Sequence, residues 1–284
     1  MDRPVEARTP VLALLVGLAT CAGPTETART EPGAPKLEVD PCQEDPKRHA
    51  LPLDGPRDFT VADQAFQAAT LLAAGGDYGA ALPGFQAAVK ADPTHGLAHL
   101  GTAEAHLYTD DEPQAMRSHL ATALVLMPDN PRAHQRYAQV LDTLGEKPAA
   151  TRHWKCLLSL KPETGEARYQ LARLYLEAGQ AKDAEQEVRE AIKLEQANLH
   201  YHLLLGDVLE ADGRPAEAAD AVAAAAQLAG RSAPLYRRAG ALYERANNTT
   251  AAAAQNKRAD ELDPPEKARA LRPLPEARSK GKKK

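Results

Sequence analysis

A chain of 284 residues with a net charge of −4 and few aromatic side chains has room for one or two domains and no cation excess suited to nucleic acid. Its three cysteines, Cys21, Cys42 and Cys156, lack the spacing of a paired-cysteine metal motif and are too few to staple a small disulfide scaffold. Abundant Ala, Leu, Glu and Arg, with almost no β-branched runs, favour helix over sheet, because unbranched side chains lose little entropy in a helix.

Residues 1–21 read as an export signal. Arg3 and Arg8 precede an apolar run over residues 11–19 that is too short to cross a bilayer. The run ends in Leu18-Ala19-Thr20-Cys21, which resembles the lipobox of bacterial lipoproteins, with Thr20 where Gly, Ala or Ser is usual. The resemblance implies that Cys21 becomes a lipidated N-terminus. Ala22, rather than Asp, after the cysteine implies an outer-membrane lipoprotein of the cell envelope facing the periplasm. A secreted chain and a cytoplasmic chain are the alternatives. Residues 22–58 are rich in proline and lack apolar periodicity, so they predict a disordered tether. Pairing of Cys42 with Cys156 is open to the chain in an oxidising compartment.

From residue 59 to 264 the sequence repeats. Sliding the stretch 165–196 by 34 positions aligns Ala172 with Ala138, Gly206 and Gly240, and Ala184 with Ala150, Ala218 and Ala252. Six units result, spanning 62–93, 96–128, 131–162, 165–196, 199–230 and 233–264. The second is one residue longer, and the surplus is expected in the turn around Thr109-Asp110-Asp111-Glu112-Pro113. Each unit predicts two amphipathic helices. Small residues mark close helix approach, and Gly76, Gly145, Gly179, Gly213 and Asn247 mark turns that need a left-handed backbone. Phe85, Leu120, Trp154, Val188 and Val222 form a column of large fillers, with Leu141, Tyr175, Leu209 and Tyr243 forming another. Pro93, Pro128, Pro162 and Pro264 end second helices. In the sixth unit Asn256 replaces the large filler and the second helix is mostly Ala and polar, as a terminal cap requires. Residues 265–284 predict a short helix followed by a basic disordered tail.

The pattern resembles the tetratricopeptide repeat, whose motif falls on Leu171, Ala172, Tyr175, Gly179, Ala184 and Ala191 in the cleanest unit. The resemblance implies an all-α, right-handed superhelical solenoid whose first helices line a concave groove. First-helix residues not needed for packing then predict the groove lining. They are Phe66, Leu97, Leu100 and Glu104, then Gln135, Arg136 and Gln139, then Tyr169 and Arg173, then His200, Leu203 and Asp207, and last Arg237, Arg238 and Glu244. Tyr169 and Arg173 stand out as residues that packing does not require.

No phosphate loop, HExxH or nucleophile elbow occurs, and no cofactor, metal or small-molecule substrate is expected. His95, His99 and His106 share one helix face, but no acidic or cysteine ligand has matching spacing, so they read as polar surface residues. Cys156 aligns with Ala87, Glu190, Ala224 and Arg258 and is expected to face outward. The reading is a non-enzymatic scaffold or assembly factor, membrane-attached by its lipid, holding a peptide or helix of a protein partner. Its layout resembles the pilotin-like lipoproteins that help outer-membrane secretins of pilus machines assemble. A cytoplasmic adaptor, or an envelope protein whose basic tail holds cell-wall polymer or lipid, is the alternative.

Overall fold

The computed structural model describes residues 46–55, 57–109 and 112–264. All lie in one compact unit, Val39–Lys284; the other, Met1–Glu38, lies outside the described residues. So do the expected export signal, the expected lipidation at Cys21, Cys42, most of the expected tether, and the helix and tail expected after residue 265.

Among the described residues, twelve helices pair in chain order. They are α1 (Phe59–Ala74) with α2 (Tyr78–Ala91), α3 (Gly96–Thr109) with α4 (Pro113–Leu126), and α5 (Pro131–Thr143) with α6 (Lys147–Leu160). Then follow α7 (Gly165–Glu177) with α8 (Ala181–Leu194), α9 (Leu199–Ala211) with α10 (Pro215–Leu228), and α11 (Ala233–Arg245) with α12 (Thr249–Leu262). No strand occurs among the described residues, and none of their helices is long and apolar enough to cross a membrane.

Local chemistry sets the boundaries. Asp58, Asp77, Asn130, Asn198 and Asn248 accept a hydrogen bond from a backbone N–H of the turn they open. Between paired helices, Gly76, Gly145, Gly179 and Gly213 have φ of 75–85°, and Asn247 has φ of 58°. Glycine meets little steric penalty there, and asparagine is the next most tolerant. In the second unit α3 has 14 residues, against 13 in α5, α7, α9 and α11, and Thr109, expected in the turn, is its last residue; Asp110 and Asp111 lie outside the described residues.

Between the helices, small meets large. A Cβ on Gly101 would lie 2.7 Å from the Phe85 ring, and one on Gly206 would lie 2.7 Å from Val222 Cγ2. Phe85, Leu120, Trp154, Val188 and Val222 are all buried. The core falls into four clusters along the array, with Tyr175 packed against both of the two largest, as each unit covers the apolar face of the one before it. At the end of the array, Asn256 donates to Glu244 and most of α12 faces solvent, as a cap should.

Two expectations need correction. Residues 46–55 were expected in a disordered tether but are laid against α4: the Leu51 N–H donates to Thr122 Oγ1 at 2.7 Å, and Arg117 Nη2 donates to His49 Nε2 at 2.5 Å. These single polar contacts hold irregular chain, which leaves no periodic trace in a sequence. Cys156 was expected to face outward; it is 4% exposed and disulfide-bonded, with its partner outside the described residues.

Candidate partner-binding face

The first helices carry every groove residue expected from sequence, and the structure divides these residues into two groups. At the start of the array, α1 and α3 flank a cleft of about 250 Å³. Phe66, Thr70, Ala73, Tyr78, Phe85, Leu97 and Leu100 line it, together with Glu104 and Arg132. Leu100 and Glu104 are themselves mostly buried, whereas Leu97 is 45% exposed. A second, smaller hollow of about 50 Å³ lies between α3 and α5, where Ala103, Leu107, Met116, Arg136 and Gln139 meet the other side of Glu104.

Exposed apolar side chains concentrate at this end. Of eleven large ones among the described residues, seven fall in α1 and α3: Phe59, Val61, Leu71, Leu72, Leu97, Leu107 and Tyr108. The other four, Leu160, Leu194, Leu228 and Leu262, recur every 34 residues as the last residue of α6, α8, α10 and α12, which marks them as part of the repeat. The seven at the N-terminal end do not follow the repeat; Leu97 among them lines the cleft and Leu107 the smaller hollow, and exposed apolar side chains of this kind mark partner-binding surfaces.

Beyond this end the same face is closed by charge pairing between neighbouring units. Glu104 on α3 accepts from Arg136 Nε on α5 at 3.1 Å and from Arg132 at 2.5–2.6 Å. Asp142 on α5 pairs with Arg173 on α7, and Arg173 also donates to Glu177 at 2.6 Å. Asp207 on α9 pairs with Arg238 on α11, which also reaches Glu210 at 3.2 Å. Burial disfavours the Arg173 and Arg238 cations, yet their acidic partners more than offset it and hold both pKa values above the ordinary one. Between α7 and α9 the step is made by Tyr169 stacked on Tyr201, with ring centroids 5.4 Å apart.

Tyr169 and Arg173 are therefore engaged in joining units, contrary to the expectation that packing leaves them idle. Among the remaining expected residues, Gln135 and Leu203 are half-buried and His200 is exposed beside the turn preceding α9. Arg237 binds the backbone carbonyl of Asp263 at 2.5 Å, and Glu244 accepts from Asn256. Thr70, Tyr78 and Arg132 line the first cleft but were not foreseen. Tyr78 had a readable signal: second helices begin with Tyr, Pro, Lys, Ala, Pro and Thr in turn, and only this one is aromatic.

His95 immediately precedes α3, and His99 and His106 on it are buried, not surface residues as the sequence suggests; the three do not converge. His95 Nε2 lies 3.2 Å from Asp63 and its ring packs on Phe66. His99 instead pairs with His119 on α4, Nδ1 to Nδ1 at 3.0 Å, and His99 Nε2 meets the Pro93 carbonyl at 3.0 Å. One unit later, His134 repeats the arrangement with His153 at 3.0 Å and with the Pro128 carbonyl at 2.7 Å. A carbonyl only accepts, so the first ring of each pair is protonated on Nε2 and its Nδ1 accepts from the second ring. Burial and the neighbouring His99 and His106 hold His119 at a pKa of about 4.

Two tetratricopeptide-repeat family models match the sequence, over residues 66–131 and 155–208. No curated protein matches it. Solved structures share the fold at low identity. PilF of Pseudomonas aeruginosa is 19% identical, with a TM-score of 0.55, over 72% of this chain and 93% of its own. PilW, described as a widely conserved type IV pilus biogenesis factor, is 19% identical at 0.55, over 74% and 98%. YrrB, described as a TPR protein with an unusual peptide-binding site, is 19% identical at 0.55, over 66% and 98%. With six helix pairs stacked in register, five of them joined by a glycine or asparagine turn, the chain is a tetratricopeptide-repeat protein.

Proposed function

We propose that this chain is a non-enzymatic scaffold of the cell envelope that holds an apolar segment of a protein partner at the N-terminal end of its first-helix groove. One observation carries the reading: the cleft between α1 and α3 is apolar and open, while the cations further along the same face are already neutralised by carboxylates of the preceding unit. An acidic partner would have to compete with those carboxylates. An apolar anchor entering beside Phe66, Leu97 and Tyr78 displaces only water, and buried apolar area gives roughly 25 cal/mol per Å². The segment suited to it is a short helix or extended stretch with two or three apolar side chains on one face.

The envelope location rests on the lipobox-like Leu18-Ala19-Thr20-Cys21, and the anchor proposed is a lipid on Cys21. Likeness in fold to the pilus factor PilW and to the peptide-binding YrrB favours a role in assembling an envelope machine through a bound segment. The test is a photoreactive residue placed at Leu97 in cells, with Gln170 as the control on the ion-paired part of the face. The expected result is one crosslinked partner at Leu97, attached through an apolar segment, and nothing at Gln170. Equal crosslinking at both, or an acidic crosslinked segment, would refute the reading. Incorporation of a fatty-acid analogue that survives Cys21→Ala would refute the anchor alone.

A further inference from the structure

The repeat places three equivalent positions side by side in successive units, and their occupants differ. On α3 and α4 they are His99, His119 and Thr122; on α7 and α8 they are Arg168, Glu187 and Glu190. The former uses its third residue to hold the N-terminal segment, since Thr122 Oγ1 accepts from the Leu51 N–H. The latter forms an ordinary ion pair, Arg168 to Glu187 at 2.8 Å. Only the unit between them carries three metal-ligating types: His134 on α5, and His153 and Cys156 one turn apart on α6.

We propose that His134, His153 and Cys156 form a redox-gated site for a zinc-class divalent cation. All three are buried, and one ligand atom from each lies within 4.8 Å of the other two. A tetrahedral zinc ion with two nitrogens and one sulfur separates its ligand atoms by roughly 3.3–3.6 Å, so small side-chain shifts close the site. His134 is oriented as metal-bound histidines are, because its Nε2–H donates to the Pro128 carbonyl at 2.7 Å and directs the Nδ1 lone pair toward His153. His153 presents Nδ1 to the same point, and moving its proton from Nδ1 to Nε2 converts the hydrogen-bonded pair into two nitrogen ligands.

The gate is the disulfide of Cys156. While it is closed, its sulfur is a poor ligand and the histidine pair keeps its shared proton. A cellular dithiol opens it: the dithiol's two sulfurs join in a new S–S bond, the protein S–S bond breaks, and the dithiol's two protons pass to the two released protein thiols. The Cys156 thiol then loses its proton to solvent as the metal–sulfur bond forms. Disulfide and metal are thus alternative occupants of one position in the third unit.

Cobalt(II) is the probe, added to the full chain carrying Cys21→Ser and Cys42→Ser, in which Cys156 is the sole thiol. The expected result is a thiolate-to-cobalt charge-transfer band with intense tetrahedral visible bands, saturating at one equivalent and bleached by zinc. Oxidised wild-type protein should show neither until a phosphine reduces it. His153→Gln should weaken binding by at least about tenfold, while His119→Gln, in the unit without a thiol, should leave the bands unchanged. No band in a chain whose circular dichroism shows it folded would overturn the proposal, as would bands that survive His134→Gln together with His153→Gln. If the double serine chain fails to fold, phosphine-reduced wild type is read by the same criteria.

Discussion

The two ends of the first-helix face are built from the same repeat and do opposite things with it. Between α5 and α11, acidic residues of one unit meet arginines of the next, as in Asp142 with Arg173 and Asp207 with Arg238, so the surface is polar, paired and complete. Between α1 and α3, the positions that correspond to Asp142 and Arg173 hold Ala73 and Glu104, and those that correspond to Asp207 and Arg238 hold Thr70 and Gly101, so no such pair can form and the space stays an apolar cleft with Leu97 at 45% exposure. Sequence period alone makes the two regions look alike. The difference teaches that a cation on a repeat surface is evidence of binding only when the preceding unit offers it no carboxylate.

Four changes break or sharpen this contrast. The largest effect on stability is expected where charge pairing is most buried. The Glu104 side chain is 8% exposed, so Arg136→Ala with Arg132→Ala leaves a carboxylate uncompensated and should cost about 3 kcal/mol in denaturant unfolding. Glu104→Gln added to that pair should recover most of the loss.

Acid comes next, and acts on the second unit. The unfolded chain binds a proton at His119 near the ordinary value of 6.5, whereas the folded chain resists until about 4, because of burial and the neighbouring His99 and His106. Stability at this site is therefore present above pH 6.5, falls as the pH drops toward 4 and levels off below it, by up to roughly 3 kcal/mol in all. His119→Gln should flatten that part of the curve in pH-dependent melting.

A third, smaller effect belongs to the exposed part of the ladder. Arg173→Gln should cost about 0.5–1 kcal/mol in urea unfolding and lose most of that difference in high salt, because both partners are partly exposed and screened. Smallest of all is Leu97→Glu, within about 0.5 kcal/mol of wild type, since an exposed residue contributes little to folding. A large loss there would mean the cleft is part of the core and not a surface kept open for something else.

Much of the fold was legible in the sequence because its determinants are periodic. The small and large columns, the left-handed turns at Gly145 or Gly179 and the polar final helix all follow from residue type at a fixed step. The ladder was also written there, as an acid followed 31 residues later by arginine at Asp142 and Asp207, but it is visible only when pairs are sought between units instead of within them. Three features had no periodic signal. Residues 46–55 are held by isolated contacts to His49 and Leu51. The burial of Cys156 departs from Glu190 and Arg258 at the same position of other units. The cleft depends on space between α1 and α3, which no residue type announces.

The contrast between the two regions is tested most directly by affinity, using the partner segment identified by crosslinking at Leu97. Its dissociation constant is compared for wild type, Leu97→Glu and Arg173→Glu, each folded by circular dichroism. Placing a charge against an apolar anchor should weaken binding about a hundredfold, or roughly 3 kcal/mol, whereas Arg173→Glu should leave it within about twofold. Binding that is lost with Arg173→Glu and kept with Leu97→Glu would contradict the assignment of the N-terminal cleft as the gripping site.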